Sequence, residues 1–70
     1  MFKRISAAER ERRAAAAELD TTLRALHANE SAFKEAQDPF YIEQLTYQHA
    51  ALMCHCRALL RTLRTGGADP

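Results

Sequence analysis

The chain has no tryptophan, and only two glycines, two prolines, two cysteines, two tyrosines and three phenylalanines. So little glycine and proline leaves few places to turn, which excludes a fold of many short strands and favours a few long elements. Cys54 and Cys56 are separated by a single residue, a poor spacing for a structural disulfide, so both thiols are expected free in a cytoplasmic protein. No apolar run approaches the length of a membrane-spanning helix, so membrane insertion is not expected. The opening "MFKRISAAERERR" is basic but lacks a following apolar stretch, so a secretion signal is not expected either. Charge of one sign is also missing. Ten Lys+Arg against nine Asp+Glu leave a net charge of +1, which does not announce a polyanionic partner.

What is present is a chain of 70 residues that is 47% hydrophobic, with alanine supplying much of that fraction. This is near the lower size limit for independent folding, where a disulfide, a metal or a partner subunit usually supplements a thin core. Ser6-Ala-Ala-Glu9 has the spacing of a capping box, in which the hydroxyl and the carboxylate both satisfy free amides at a helix start. From there to about residue 37 no Gly or Pro intervenes, and Leu19, Leu23, Leu26 and Phe33, extended by Ala8, Ala15 and Ala16, recur at helical steps.

Asp38-Pro39 ends that pattern. Aspartate is a good N-cap, proline suits the first helical position, and the same proline disfavours helical geometry at Asp38. The expected elements are therefore helix 1 over about 6–37 and helix 2 over about 39–64, in a single domain over 1–65. Gly66 is placed to end the second helix, and residues 66–70 are expected to form a disordered tail. Two long helices joined by so short a turn predict an all-α antiparallel hairpin. Equal distances from the turn pair Phe33 with Ile42, Leu26 with His49, Leu23 with Leu52 and Leu19 with Cys56.

The second helix has more apolar surface than one neighbour can cover. Ile42, Leu45, His49, Leu52, Met53, Cys56, Leu59, Leu60 and Leu63 fall in one broad arc, and Phe40, Tyr47, Ala51, Cys54 and Ala58 form a separate stripe. A helix apolar on two faces is usually buried on two faces. Helix 1 adds a small-residue face at Ala14, Ala25, Ala28, Ala32 and Ala36. These features predict a homodimer forming a four-helix bundle, with the Phe40–Ala58 stripe as the self-association or partner face.

Cys54-His55-Cys56 invites a metal or redox reading, which its geometry rejects. Adjacent helical residues point about 100° apart, whereas tetrahedral ligands must converge. Nor is C-x-C the C-x-x-C pattern of a reactive dithiol at a helix start. His49, Met53 and Cys56 stand at helical spacing, yet Met and Cys on an apolar face are ordinary core residues. No metal or other cofactor is expected. Glu30 and His49, on facing stripes, are expected to form a core polar pair that fixes the helix register.

The basic end of the hairpin gathers Arg10, Arg12, Arg13, Arg57, Arg61 and Arg64, together with Lys3 and Arg4, while acidic residues concentrate near the turn. That end could meet the phosphates of nucleic acid, but the mixed "ERERR" run reads first as a solvated face, and no aromatic residue interleaves it for base stacking. A glycine-rich phosphate loop and a nucleophile elbow are both missing, so no enzymatic activity is expected.

Asp38, Pro39, Ile42, Glu43, Tyr47, Ala50, Leu59, Leu60 and Arg61 fall in an order that resembles the C-terminal half of the small YaaL-type proteins of Gram-positive bacteria. The resemblance runs from Asp38 to Arg64; the Cys54-His55-Cys56 triplet and the alanine-rich first helix depart from it. It implies a small helical protein with no catalytic residues to carry over. The expected role is a non-enzymatic interaction or adaptor protein. Nucleic-acid association through the basic end is the alternative, and a metal-binding bundle using Glu30, His49 and Cys56 a weaker one.

Overall fold

A computed structural model describes residues 4–65. The expected Gly66 terminator, the 66–70 tail and Lys3 lie outside the described residues. Two helices account for nearly all of the described chain: α1 over Ala7–Glu35 and α2 over Pro39–Thr65. The start of α1 is capped by Ser6, which is extended (φ −67°, ψ 160°) and whose hydroxyl accepts the Glu9 amide at 3.0 Å. Only half of the expected capping box forms. The Glu9 carboxylate reaches forward to Arg13, 3.4 Å away, instead of back to the Ser6 amide.

α1 ends at Glu35, two residues short of expectation, because the chain is already extended at Ala36 (φ −72°, ψ 136°). A connection of three residues, Ala36 to Asp38, then reverses the direction. Asp38 opens α2 through its backbone, its carbonyl accepting the Ile42 amide at 2.9 Å. Proline at the first position of α2 forfeits no hydrogen bond, since that amide has no partner within a helix.

The two helices pack as the expected antiparallel hairpin. Residues equidistant from the turn meet: Asn29 reaches Leu45 and Gln48, and Glu18 reaches His55. The seam between them follows a seven-residue repeat on both sides. In α1, Leu19, Leu26 and Phe33 alternate with Ala15, Thr22 and Asn29; in α2 the row is Ile42, Leu45, His49, Leu52, Cys56, Leu59 and Leu63. Alternating steps of three and four keep one narrow stripe facing a single neighbour, as in a coiled coil.

That narrowness corrects the expected core. Leu23 is 46% exposed, because Thr22 takes the facing position and Leu23 stands about 100° further round. Ala16, Met53 and Leu60 leave the seam for the same reason. Ala25, Ala32 and Ala36, expected on an outer face of α1, are half-buried, whereas Ala14 and Ala28 do face outwards.

The buried set is small: Ala15, Leu26, Leu45 and Cys56, with Thr22 and Asn29 as the polar members. No described side chain is fully enclosed. The shape explains this. The molecule measures 56 × 28 × 13 Å, so its thickness is that of one helix. Its radius of gyration, 16.3 Å, far exceeds the roughly 11 Å of a compact chain of this length. A single layer of two helices has one seam and two open flanks.

Candidate interaction surfaces

Four features of the rod could carry contacts: the outer side of α2, the two flanks of the seam, and the arginines of the open end.

On α2, Phe40, Gln44, Tyr47, Ala51, Cys54 and Ala58 follow one another at steps of four and three, and all are exposed. At 100° per residue they form a second stripe roughly 160° from the seam that faces α1. Phe40 is 79% exposed and Tyr47 69%. The five residues expected as a contact face thus stand together on one uncovered side, with Gln44 as a polar interruption. Beside them, the Arg57 guanidinium lies 3.7 Å from the Cys54 sulfur.

The flanks of the seam differ from each other. One is bridged by polar side chains. Glu18 and His55 approach to 3.3 Å across the helices. The Asn29 amide, itself buried, donates to the Leu45 carbonyl at 3.0 Å and to Gln48 Oε1 at 2.9 Å. Asn29 Oδ1 is buried and has no hydrogen-bond partner among the described residues. The other flank carries Leu23 from α1 with Met53 and Leu60 from α2, all three exposed. Towards the open end this flank runs into a shallow groove with Ala16 and Leu63 for a floor and Glu9, Arg12 and Arg13 for a rim.

Glu30 and His49 do approach each other, at 3.9 Å between Oε2 and Nε2, but not as the buried pair expected. Glu30 is exposed and His49 half-buried at the margin of the apolar flank. The buried polar contact between the helices belongs instead to Asn29, one residue earlier and one step of 100° further inward. The sequence does not single out Asn29, because the row Ala16, Leu23, Glu30 has the same intervals of seven as Ala15, Thr22, Asn29 and competes with it for the seam.

The three residues of the Cys-His-Cys triplet diverge. Cys56 is buried in the seam, Cys54 lies exposed on the outer stripe, and His55 turns to Glu18. Cys56 stands two turns, roughly 10 Å, from His49 along α2, so the Glu30–His49 contact does not extend to it. Among the described residues no three His, Cys, Asp or Glu side chains are gathered as a ligand set.

The six arginines of the open end do not form one patch. Arg12 and Arg13 line the groove beside Leu63, and Arg13 is engaged by Glu9. Arg57, Arg61 and Arg64 surround a separate depression with Ala58. Arg10 is exposed on α1 and lines neither. Among the described residues no helix is long and apolar enough to cross a membrane.

No family model, curated protein or solved structure matches this chain. The functional reading therefore rests on the surfaces of the hairpin itself.

Proposed function

We propose that this chain is a small non-enzymatic interaction protein of the cytoplasm, which self-associates and offers the outer side of α2 to a helix of a protein partner. The observation that carries the reading is the exposed stripe of Phe40, Tyr47, Ala51, Cys54 and Ala58 on the side of α2 away from α1. Two large aromatic anchors followed by small residues suit a docked helix: the anchors bury area, and the small positions let a second backbone approach. Two free thiols suit a reducing compartment. The resemblance of Asp38–Arg64 to the YaaL-type proteins agrees with a small helical protein and assigns it no activity.

The test is site-specific photo-crosslinking in the native cell. A photoreactive residue at position 47 should yield one discrete adduct with a second protein. The same residue at Arg24, on the exposed back of α1, should not. Indistinguishable adducts from both positions would refute the reading.

A second reading uses the depression lined by Arg57, Ala58, Arg61 and Arg64, whose three positive side chains share one side of α2 and suit phosphate oxygens. It predicts retardation of DNA or RNA that weakens steeply with salt and disappears in an Arg57→Gln, Arg61→Gln, Arg64→Gln variant. Absence of retardation at low salt removes it.

A further inference from the structure

We infer that the flank bearing Leu23, Met53 and Leu60 seats a second copy of this chain, the two rods lying antiparallel with a two-fold axis near Leu23 and Met53. The inference rests on the proposed self-association and assigns it a face, leaving the outer stripe of α2 free for the partner.

The incomplete core is the first reason. One helix of thickness, no fully enclosed side chain and a seam whose Leu19, Phe33, Ile42, Leu52, Leu59 and Leu63 remain only half-buried describe half of a two-layer fold. A cover over one flank would complete it. The flanks themselves then choose. The Glu18–His55 and Asn29–Gln48 contacts bridge one side, where Tyr41 is the exposed large apolar residue; the other has one polar approach, Glu30–His49, near the turn, and leucine and methionine from both helices exposed along the rest. A copy docked there merges two seams into one core, which contact along α2 alone would not do. A rod flank roughly 40 Å long and 20 Å wide offers on the order of 800 Å² per copy, the size of a standard stable interface.

Charge sets the direction. Within the described residues, the open half of the rod holds seven arginines against four acidic side chains. The half at the turn holds Arg24 and Lys34 against Glu30, Glu35, Asp38 and Glu43. A second copy laid parallel sets like charge on like. Laid antiparallel, the Arg12–Arg13 groove of each copy faces the end that carries Glu30 and Glu43 in the other. Leu23 and Met53 lie near mid-length, where a perpendicular two-fold axis brings each residue beside its own symmetry mate.

The experiment is disulfide trapping in the full chain, with Cys54→Ser and Cys56→Ala as background and single cysteines placed by Met53→Cys, Leu60→Cys or Tyr47→Cys. Light scattering over a range of concentrations accompanies it. The expected result is a particle of twice the 7.9 kDa chain mass, with rapid cross-linking of Met53→Cys and little of the other two. Leu60 is seven residues from Met53, so in the antiparallel pair it lies roughly 20 Å from its mate along the rod. Cross-linking at 60 as rapid as at 53 overturns the orientation. A dimer trapped through position 47 but not 53 overturns the face while keeping self-association. A single-chain mass at every concentration overturns both.

Discussion

Replacing Asn29 by leucine should make the hairpin more stable and less well specified. Asn29 sits in the seam at 3% exposure, donating to the Leu45 carbonyl and to Gln48 Oε1 while its own Oδ1 has no partner. Removing the amide loses two hydrogen bonds, each worth about 1 kcal/mol net. The actual loss is smaller, since the Leu45 carbonyl is already inside a helix and Gln48 is exposed to water. Against that, deleting the buried unpaired oxygen returns about 1–3 kcal/mol. A leucine in the seam adds about 2 kcal/mol through apolar burial. The net is a gain of about 1–3 kcal/mol, hence a rise in Tm of at least ~4 °C for a domain of this size. Thermal melts followed by circular dichroism, at one fixed protein concentration, measure it. A fall in Tm of ~4 °C or more would show that the amide contributes more than its hydrogen bonds suggest and would sink the reasoning. The second half of the expectation concerns uniqueness: with Asn29 gone, Thr22 and His49 are the polar members left in the seam, and apolar contacts alone fix the axial fit of the helices less strictly. Amide NMR spectra should then show doubled or broadened signals in α1 and α2, and a single sharp set would refute that half.

Leu45→Ala, at the most enclosed apolar side chain, should cost about 2–4 kcal/mol in denaturant unfolding; a cost below 1 kcal/mol would mean that the seam is not the core. Ser6→Ala removes the α1 cap and should cost about 1 kcal/mol, with increased amide exchange confined to the first turn. Tyr47→Ala alters a largely exposed side chain away from the seam and should change stability by less than about 0.5 kcal/mol while abolishing partner capture. His55→Ala breaks an exposed contact with Glu18 and should likewise stay within about 0.5 kcal/mol.

The two helices and their junction could be read from the chain because local rules agreed with the global fold. Ser6 caps, Pro39 starts, and the heptad of Ile42 to Leu63 states which side of α2 faces inward. The distances from the turn at which the helices meet were legible too, except that Leu23, paired with Leu52 on that count, stands outside the seam. The width of the core was not. Spacing alone does not separate Thr22 from Leu23, or Asn29 from Glu30, since one residue is only 100° of rotation and hydropathy favours the wrong member of the first pair. Only the partner helix decides which neighbour turns inward, and it chose a threonine whose hydroxyl is already satisfied by the Glu18 carbonyl at 2.7 Å. The candidate surfaces were legible to the same degree. The outer stripe stood out because nothing competes for it, whereas the Leu23–Met53–Leu60 flank was hidden inside an arc that looked like core.

Pro39 has a consequence beyond starting α2. Were residues 36 to 38 to turn helical, α1 and α2 would fuse into a continuous rod roughly 90 Å long. Its seams would then be covered only by a second such rod, the two chains exchanging arms. In that fused form Pro39 would lack an amide in mid-helix and press its ring against the Glu35 carbonyl, at about 3 kcal/mol or more for each chain. The same ring costs nothing where the chain folds back on itself. One imino acid thus tilts the balance from interlocked chains to self-contained ones.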